Sequence, residues 1–123
     1  MQGLSVVLLQ GDSRIAQSLA ASMAQSFRSV HAVHSLDELR SRIARQRSEV
    51  VVLDLELLSV TELQALTRDF PGLTIVCTHR LADEDMWAPT LSAGAADICP
   101  ADDTRGITAA ALRNVASRRA VAA

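Results

Sequence analysis

The polar residues that could do chemistry stand directly after short apolar runs. SVVLL at 5–9 is followed by Gln10-Gly11-Asp12, VVVL at 50–53 by Asp54-Leu55-Glu56, and LTIVC at 73–77 by Thr78-His79. A shorter run, Asp97 to Cys99, leads into Pro100-Ala101. Asp12 and Asp54 offer carboxylate oxygens, the donors a hard divalent cation takes. Thr78 offers a hydroxyl, and His79 an imidazole whose charge changes near neutrality. The basic inventory is one-sided: all 12 basic residues are Arg, and the chain has no Lys and no Tyr. A mechanism that needs a lysine ammonium or a phenol is therefore excluded. No G-x-x-x-x-G-K-[ST] phosphate loop occurs, and no D-x-H-x-x-G motif. The loop QGDSR at 10–14 lacks the Ser/Thr- and Gly-rich character that cradles a flavin phosphate. Cys77 and Cys99 lie inside apolar segments and read as small core residues of a reducing compartment, not as a disulfide or metal pair.

These residues need elements to position them. Continuous apolar runs are expected of strands buried on both faces. Val30 to Val33 adds a short fifth one. Between the runs lie helical patterns. Asp12 or Ser13 caps a helix through about Phe27, with Ile15, Leu19, Ala20, Met23 and Phe27 at helical spacing. Ser35 with Glu38 forms a capping box opening a helix with Leu36, Leu39 and Ile43 inward. Its Arg40, Arg42, Arg45 and Arg47 read as a solvated face. A third helix spans about Val60 to Asp69, stopped by Pro71-Gly72. Asp83 or Asp85 caps a fourth toward Ala93, short, late-starting or kinked because Pro89 falls inside it, and Gly94 ends it. Asp102 or Asp103 caps a last helix through roughly Arg118, with Ile107, Ala111, Leu112 and Val115 inward. Five strands alternating with five helices predict a parallel sheet covered on both faces, with ligands bound outside the carboxyl ends of the strands.

The totals agree with one compact domain. The chain has 123 residues, 49% hydrophobic and 21% charged, enough for a single sizeable core. A net charge of −2 argues against nucleic acid as the main partner. No 18-residue apolar run predicts a membrane span, and no secretory signal is visible.

VVVLDLEL at 50–57 resembles the third strand of bacterial response-regulator receiver domains, which ends on the phosphoacceptor aspartate. LTIVCTH at 73–79 resembles their fourth strand, ending on a switch Ser/Thr. GAADICP at 94–100 is similar to the G-A-x-D-aromatic stretch entering their fifth strand. The resemblance covers essentially the whole chain: residues 1–119 as the receiver-like domain, with 120–123 a frayed tail or the start of a linker. It implies an α/β, flavodoxin-like, doubly wound five-stranded parallel sheet of order 2-1-3-4-5 with helices on both faces, in a cytoplasmic, bacterial two-component setting. In such domains an aspartate takes a phosphoryl group from a phosphohistidine or small phosphodonor. Two acids after the first strand hold Mg²⁺ with it, and a lysine after the fifth strand contacts the phosphoryl group. A Ser/Thr hydroxyl then pulls its loop inward, and an aromatic on the fifth strand reports the change.

Carried onto this chain, the resemblance puts Asp54 at the phosphoacceptor position and Thr78 at the switch hydroxyl. The other parts are missing. The acid pair falls on Gln10 and Gly11, the lysine near Ala101 and the aromatic on Ile98, while Pro100 breaks the usual Lys-Pro order. Asp12 is the remaining candidate to hold Mg²⁺ with Asp54, but it also stands where the helix needs its cap. His79 replaces a small residue and either pairs with Asp54 or turns to solvent. Arg80's planar fork is not a lysine substitute at a tight site.

Loss of one charged ligand around a catalytic metal costs on the order of 10–100-fold, and here the acid pair and the lysine are both gone. The expectation is a pseudo-receiver: not an enzyme, without a cofactor, acting mainly as a phosphorylation-independent protein-interaction module. Its partner, or a second copy in a homodimer, would use the face formed by the fourth helix, fifth strand and fifth helix, with no nucleic acid and no membrane contacted by this domain. Trp87 in that region is either a core residue or, if exposed, an anchor. The alternative is a functional response regulator phosphorylated on Asp54, with Asp12 and Asp54 binding Mg²⁺. A flavodoxin-like small-molecule binder is a third reading, which the loop QGDSR disfavours.

Overall fold

The computed structural model describes residues 4–80 and 84–122. Strands and helices alternate along them: β1 Ser5–Leu9, α1 Ser13–Met23, β2 Ser29–Val33, α2 Leu36–Gln46, β3 Val50–Asp54, α3 Val60–Asp69, β4 Thr74–His79, α4 Glu84–Ser92, β5 Asp97–Pro100 and α5 Thr104–Ala122. The strands form one sheet, ordered β2-β1-β3-β4-β5, and every neighbouring pair is parallel. This is the flavodoxin-like doubly wound order expected from the sequence, with the chain reversing its direction of growth between β1 and β3.

Side-chain alternation divides the interior into two cores. Val7, Leu9, Val51, Leu53, Ile75 and Cys77 pack with Leu39 and Ile43 of α2 and Leu63 and Leu66 of α3. Val6, Leu8, Val50, Val52 and Val76 pack with Leu19 and Met23 of α1 and Ile107, Ala111 and Val115 of α5. The middle strands thus carry apolar side chains on both faces, and β3 is buried throughout. The same alternation carries Gln10, Asp54 and Thr78 onto the α1/α5 side at the carboxyl edge of the sheet. Asp54 and Thr78 face each other in register across the β3–β4 ladder.

Several boundaries differ from the sequence reading for identifiable reasons. α1 ends at Met23 and not near Phe27, because the chain must turn to set Ser29 beside Ser5 in the β1–β2 ladder. Phe27 keeps its place in the core all the same, at 5% exposure. β4 runs on through Thr78 and His79, because Asp54 and Pro100 supply register partners. Pro100 is tolerated there because β5 is an edge strand. Ser35 caps α2 as expected, but the Glu38 carboxylate reaches the His34 N–H rather than that of Ser35. The full capping box lies at α3, between Ser59 and Glu62. α4 carries Pro89 and spans nine residues. Asp85 lies inside it, and Asp83, the other expected cap, is outside the described residues. Asp103 caps α5 by accepting from the Gly106 N–H.

Two expected core residues face outward. Leu112 is 40% exposed, since it follows buried Ala111 by one residue and is turned about 100° away around the helix. Trp87 is 46% exposed, so the core alternative for it is wrong. The Arg series of α2 is not wholly a solvated face: Arg40 donates to Asp69 at 2.8 Å and lies over the Phe70 ring, tying α2 to the end of α3. Among the described residues no helix is long and apolar enough to cross a membrane.

Candidate functional site

The carboxyl ends of β1, β3, β4 and β5 meet around Asp54, the last residue of β3. Asp54 is 8% exposed. The Gly11 N–H donates to Oδ2 at 3.0 Å and the Glu56 N–H to Oδ1 at 2.9 Å, so each oxygen already accepts a backbone donor. Hydrogen bonds of this charge-assisted kind are roughly twice as strong as neutral ones. A Cβ on residue 11 would lie 3.3 Å from Asp54 Oδ2 and 3.5 Å from Leu57 Cδ2. The glycine therefore lets the backbone after β1 approach the carboxylate, where a side chain would crowd it.

Thr78 is completely buried. Gln10 Nε2 donates to its Oγ1 at 3.1 Å, and the hydroxyl in turn has Gln10 Oε1 at 3.3 Å and the Leu53 carbonyl at 3.5 Å as acceptors. Gln10 reaches this position from beyond β1, past β3, which lies between β1 and β4. In sequence terms Gln10 stands where an acid is expected, with a neutral carbonyl oxygen to offer there, and its contact with Thr78 does not follow from that reading. The available signal was parity: residues 10, 54 and 78 continue the alternation of 8, 52 and 76, all on one face.

Asp12 is the N-cap of α1, its Oδ1 accepting from the Arg14 N–H at 2.8 Å. An open cleft of about 590 Å³ separates it from the other walls, formed by Gly11, Asp54, Glu56, Arg80 and Ala101. Arg80 brings a positive charge to the rim, but its Nε pairs with Glu56 Oε2 at 3.3 Å and its side chain is 76% exposed. Alternation along β4 sets His79 on the opposite face of the strand from Thr78. Among the described residues no three His, Cys, Asp or Glu side chains converge to hold a metal ion. The side-chain oxygen donors near Asp54 are Asp12, with one oxygen committed to its helix, Gln10, whose amide is committed to Thr78, and Glu56, which pairs with Arg80. This set does not match the oxygen-rich octahedral shell that Mg²⁺ takes.

Cys77 and Cys99 are buried, free thiols, as core residues should be. Burial pushes the Cys77 thiol up to about 12. Burial, with the nearby charges of Asp97 and Asp103, pushes Cys99 up to about 11. Both stay protonated and unreactive near neutrality.

No protein-family model and no curated protein sequence matches the chain. Solved structures do. The N-terminal signal receiver domain of a two-component response regulator from Bacteroides fragilis is similar at TM-score 0.83 and 18% identity, covering 93% of this chain and 98% of its own. The signal receiver domain of a DNA-binding response regulator from Colwellia psychrerythraea 34H matches at TM-score 0.78 and 11% identity, over 93% of this chain and 98% of its own. An orphan response regulator of H. pylori matches at TM-score 0.75 and 13% identity, over 94% and 95% of the two chains. At such identities the likeness establishes the fold, which is that of receiver domains.

Proposed function

We propose that this domain is a receiver-like module of phosphorelay signalling that acts mainly as a phosphorylation-independent protein-interaction domain. The observation that carries this reading is the surrounding of Asp54. Gly11 stands where the reaction needs a carboxylate, Ala101 where it needs an ammonium, and backbone N–H groups already engage both oxygens of Asp54. A phosphoryl group entering this cleft would bring charge that no preorganised metal or lysine offsets, and such stabilisation is commonly the largest catalytic term. The domain is accordingly read as a non-enzyme without a resident cofactor, working in the cytoplasm.

The partner surface in this reading is the α4/β5/α5 face. Trp87 and Leu91 of α4 and Leu112 of α5 are 46%, 44% and 40% exposed, and aromatic and aliphatic side chains of this kind serve as interface anchors. The same face would serve a homodimer. A net charge of −2 supports a protein partner over nucleic acid.

One observation favours a second reading, a phosphoacceptor on Asp54 with Mg²⁺ held by Asp12 and Asp54: both residues line the same open cleft. Incubation with acetyl phosphate, or with beryllofluoride, in the presence and absence of Mg²⁺ separates the two. The proposed function expects no stoichiometric modification by intact mass, no global NMR change, and no Mg²⁺ saturation at low millimolar concentration. Stoichiometric, Mg²⁺-dependent modification of Asp54 with shifts spreading from Met86 to Val115 would establish the second reading instead.

A further inference from the structure

We infer that Gln10 is a built-in ligand for Thr78, a clamp that holds the end of β4 in a single state whatever happens at Asp54. The inference rests on reading the Asp54 site as one that works without phosphorylation, and it names what sets its conformation instead.

The clamp is a side chain–side chain contact between residues 68 positions apart, and both partners are buried, Gln10 at 8% and Thr78 at 0% exposure. Buried polar pairs of this kind constrain geometry strongly, because separating them leaves two unsatisfied groups away from water. The Thr78 hydroxyl has one hydrogen to donate, and two acceptors lie in reach, Gln10 Oε1 and the Leu53 carbonyl. Gln10 Nε2 fills its acceptor side at 3.1 Å. The hydroxyl therefore has its donor and acceptor roles filled from inside the protein and is not free to follow a ligand at Asp54. The backbone reinforces the arrangement: the Leu55 N–H donates to the Thr78 carbonyl at 2.9 Å, and Thr78 is in register with both Asp54 and Cys99. One amide thus joins the end of β1 to β4 across the middle strand, and Thr78 itself holds β3 through Leu53 and Leu55.

The amide is needed as an amide. A carboxylate at position 10 would have no N–H to donate to Oγ1, and a shorter acid would withdraw from Thr78 altogether. Replacing Gln10 by Met keeps length and apolar packing while deleting both hydrogen-bonding functions, and Thr78→Val deletes the hydroxyl with nearly unchanged shape. Thr78→Ser keeps the hydroxyl and serves as the conservative rescue.

The test uses NMR on the unmodified chain, with no phosphodonor present. In wild-type protein the Gln10 side-chain amide hydrogens should be protected from exchange, and the signals of Leu53, Thr78, Ile98 and Ala101 should be free of millisecond exchange. Thr78→Val should lose the Gln10 amide protection at least tenfold, whereas Thr78→Ser should retain it. Gln10→Met should introduce exchange broadening from Cys77 to Arg80 and at Ile98. In a double-mutant cycle on the folding equilibrium, Gln10→Met and Thr78→Val should couple by roughly fivefold. The clamp is overturned if the two substitutions are additive and neither introduces exchange beyond its immediate neighbours. Should Gln10→Met fail to fold, the Val and Ser variants of Thr78 decide the matter through the amide protection alone. Phosphorylation of wild-type Asp54 would refute the proposed function while leaving these measurements intact, so the two ideas fail separately.

Discussion

The Gly11 N–H lies 3.0 Å from Asp54 Oδ2, and a Cβ on the same residue would lie 3.3 Å from that oxygen. One glycine thus supplies a donor to the central carboxylate and, by having no side chain, the room for it. The position that would carry an acid in a phosphate-accepting relative of this fold is here a backbone contact. A side chain at this position would press on the carboxylate, and this shapes what substitutions around Asp54 should do.

Gly11→Ala should destabilise the domain by about 1 kcal/mol, the lower end of the cost of overpacking. The added methyl presses on Asp54 Oδ2 and on Leu57, and Leu57 can yield because it is 44% exposed. Urea denaturation with an unchanged m-value checks this. A neutral or stabilising result would mean that the loop after β1 moves freely and the Gly11–Asp54 bond matters little.

Asp54→Asn should cost about 1–2 kcal/mol. Two backbone N–H groups point at the side chain, and an amide can accept from only one of them while its own N–H₂ meets the other. Thermal melts of the two proteins side by side measure the loss. An Asn variant as stable as the parent would show that these N–H groups find other acceptors.

The thiols report the core. With folded pKa values of about 12 for Cys77 and about 11 for Cys99, against 9.0 for an ordinary thiol, the native state holds these protons more tightly than the unfolded chain. Their contribution to stability is complete below about pH 9 and falls as pH rises toward 11–12. Alkylation at pH 8 should be at least tenfold slower in the folded protein than in urea, for both residues. Rapid labelling of either one in native buffer would contradict its burial.

Trp87 provides the test of the outer face. At 46% exposure its indole should be readily quenched by acrylamide, and Trp87→Ala should change stability by no more than about 0.5 kcal/mol. A protected indole, or a loss of several kcal/mol, would place it in the core after all. Protection that grows with protein concentration would point to self-association through this face.

Much of this protein is legible in the chain itself. Apolar runs at 5–9, 50–53 and 73–77, separated by capped amphipathic stretches, leave few ways to bury their surface other than a parallel sheet covered on both sides, and that sheet forms. The resemblance to receiver domains adds the strand order and marks Asp54, Thr78 and Asp12 from the sequence alone. The missing Lys is a fact of composition, and no folding could restore it. Tertiary structure decided the rest, because it concerns contacts between residues far apart in the chain. The reach of Gln10 to Thr78 spans 68 residues and depends on which strands are neighbours. The outward turn of Trp87 and Leu112 depends on how α4 and α5 are rotated against the sheet, which local periodicity constrains only weakly when a helix carries a proline or many alanines. The commitment of Asp12 to its helix, and of the Gly11 N–H to Asp54, was open in the sequence, since a carboxylate or an amide can serve several partners. Only the register of β1 against β3 brings the Gly11 N–H to 3.0 Å from Asp54 Oδ2.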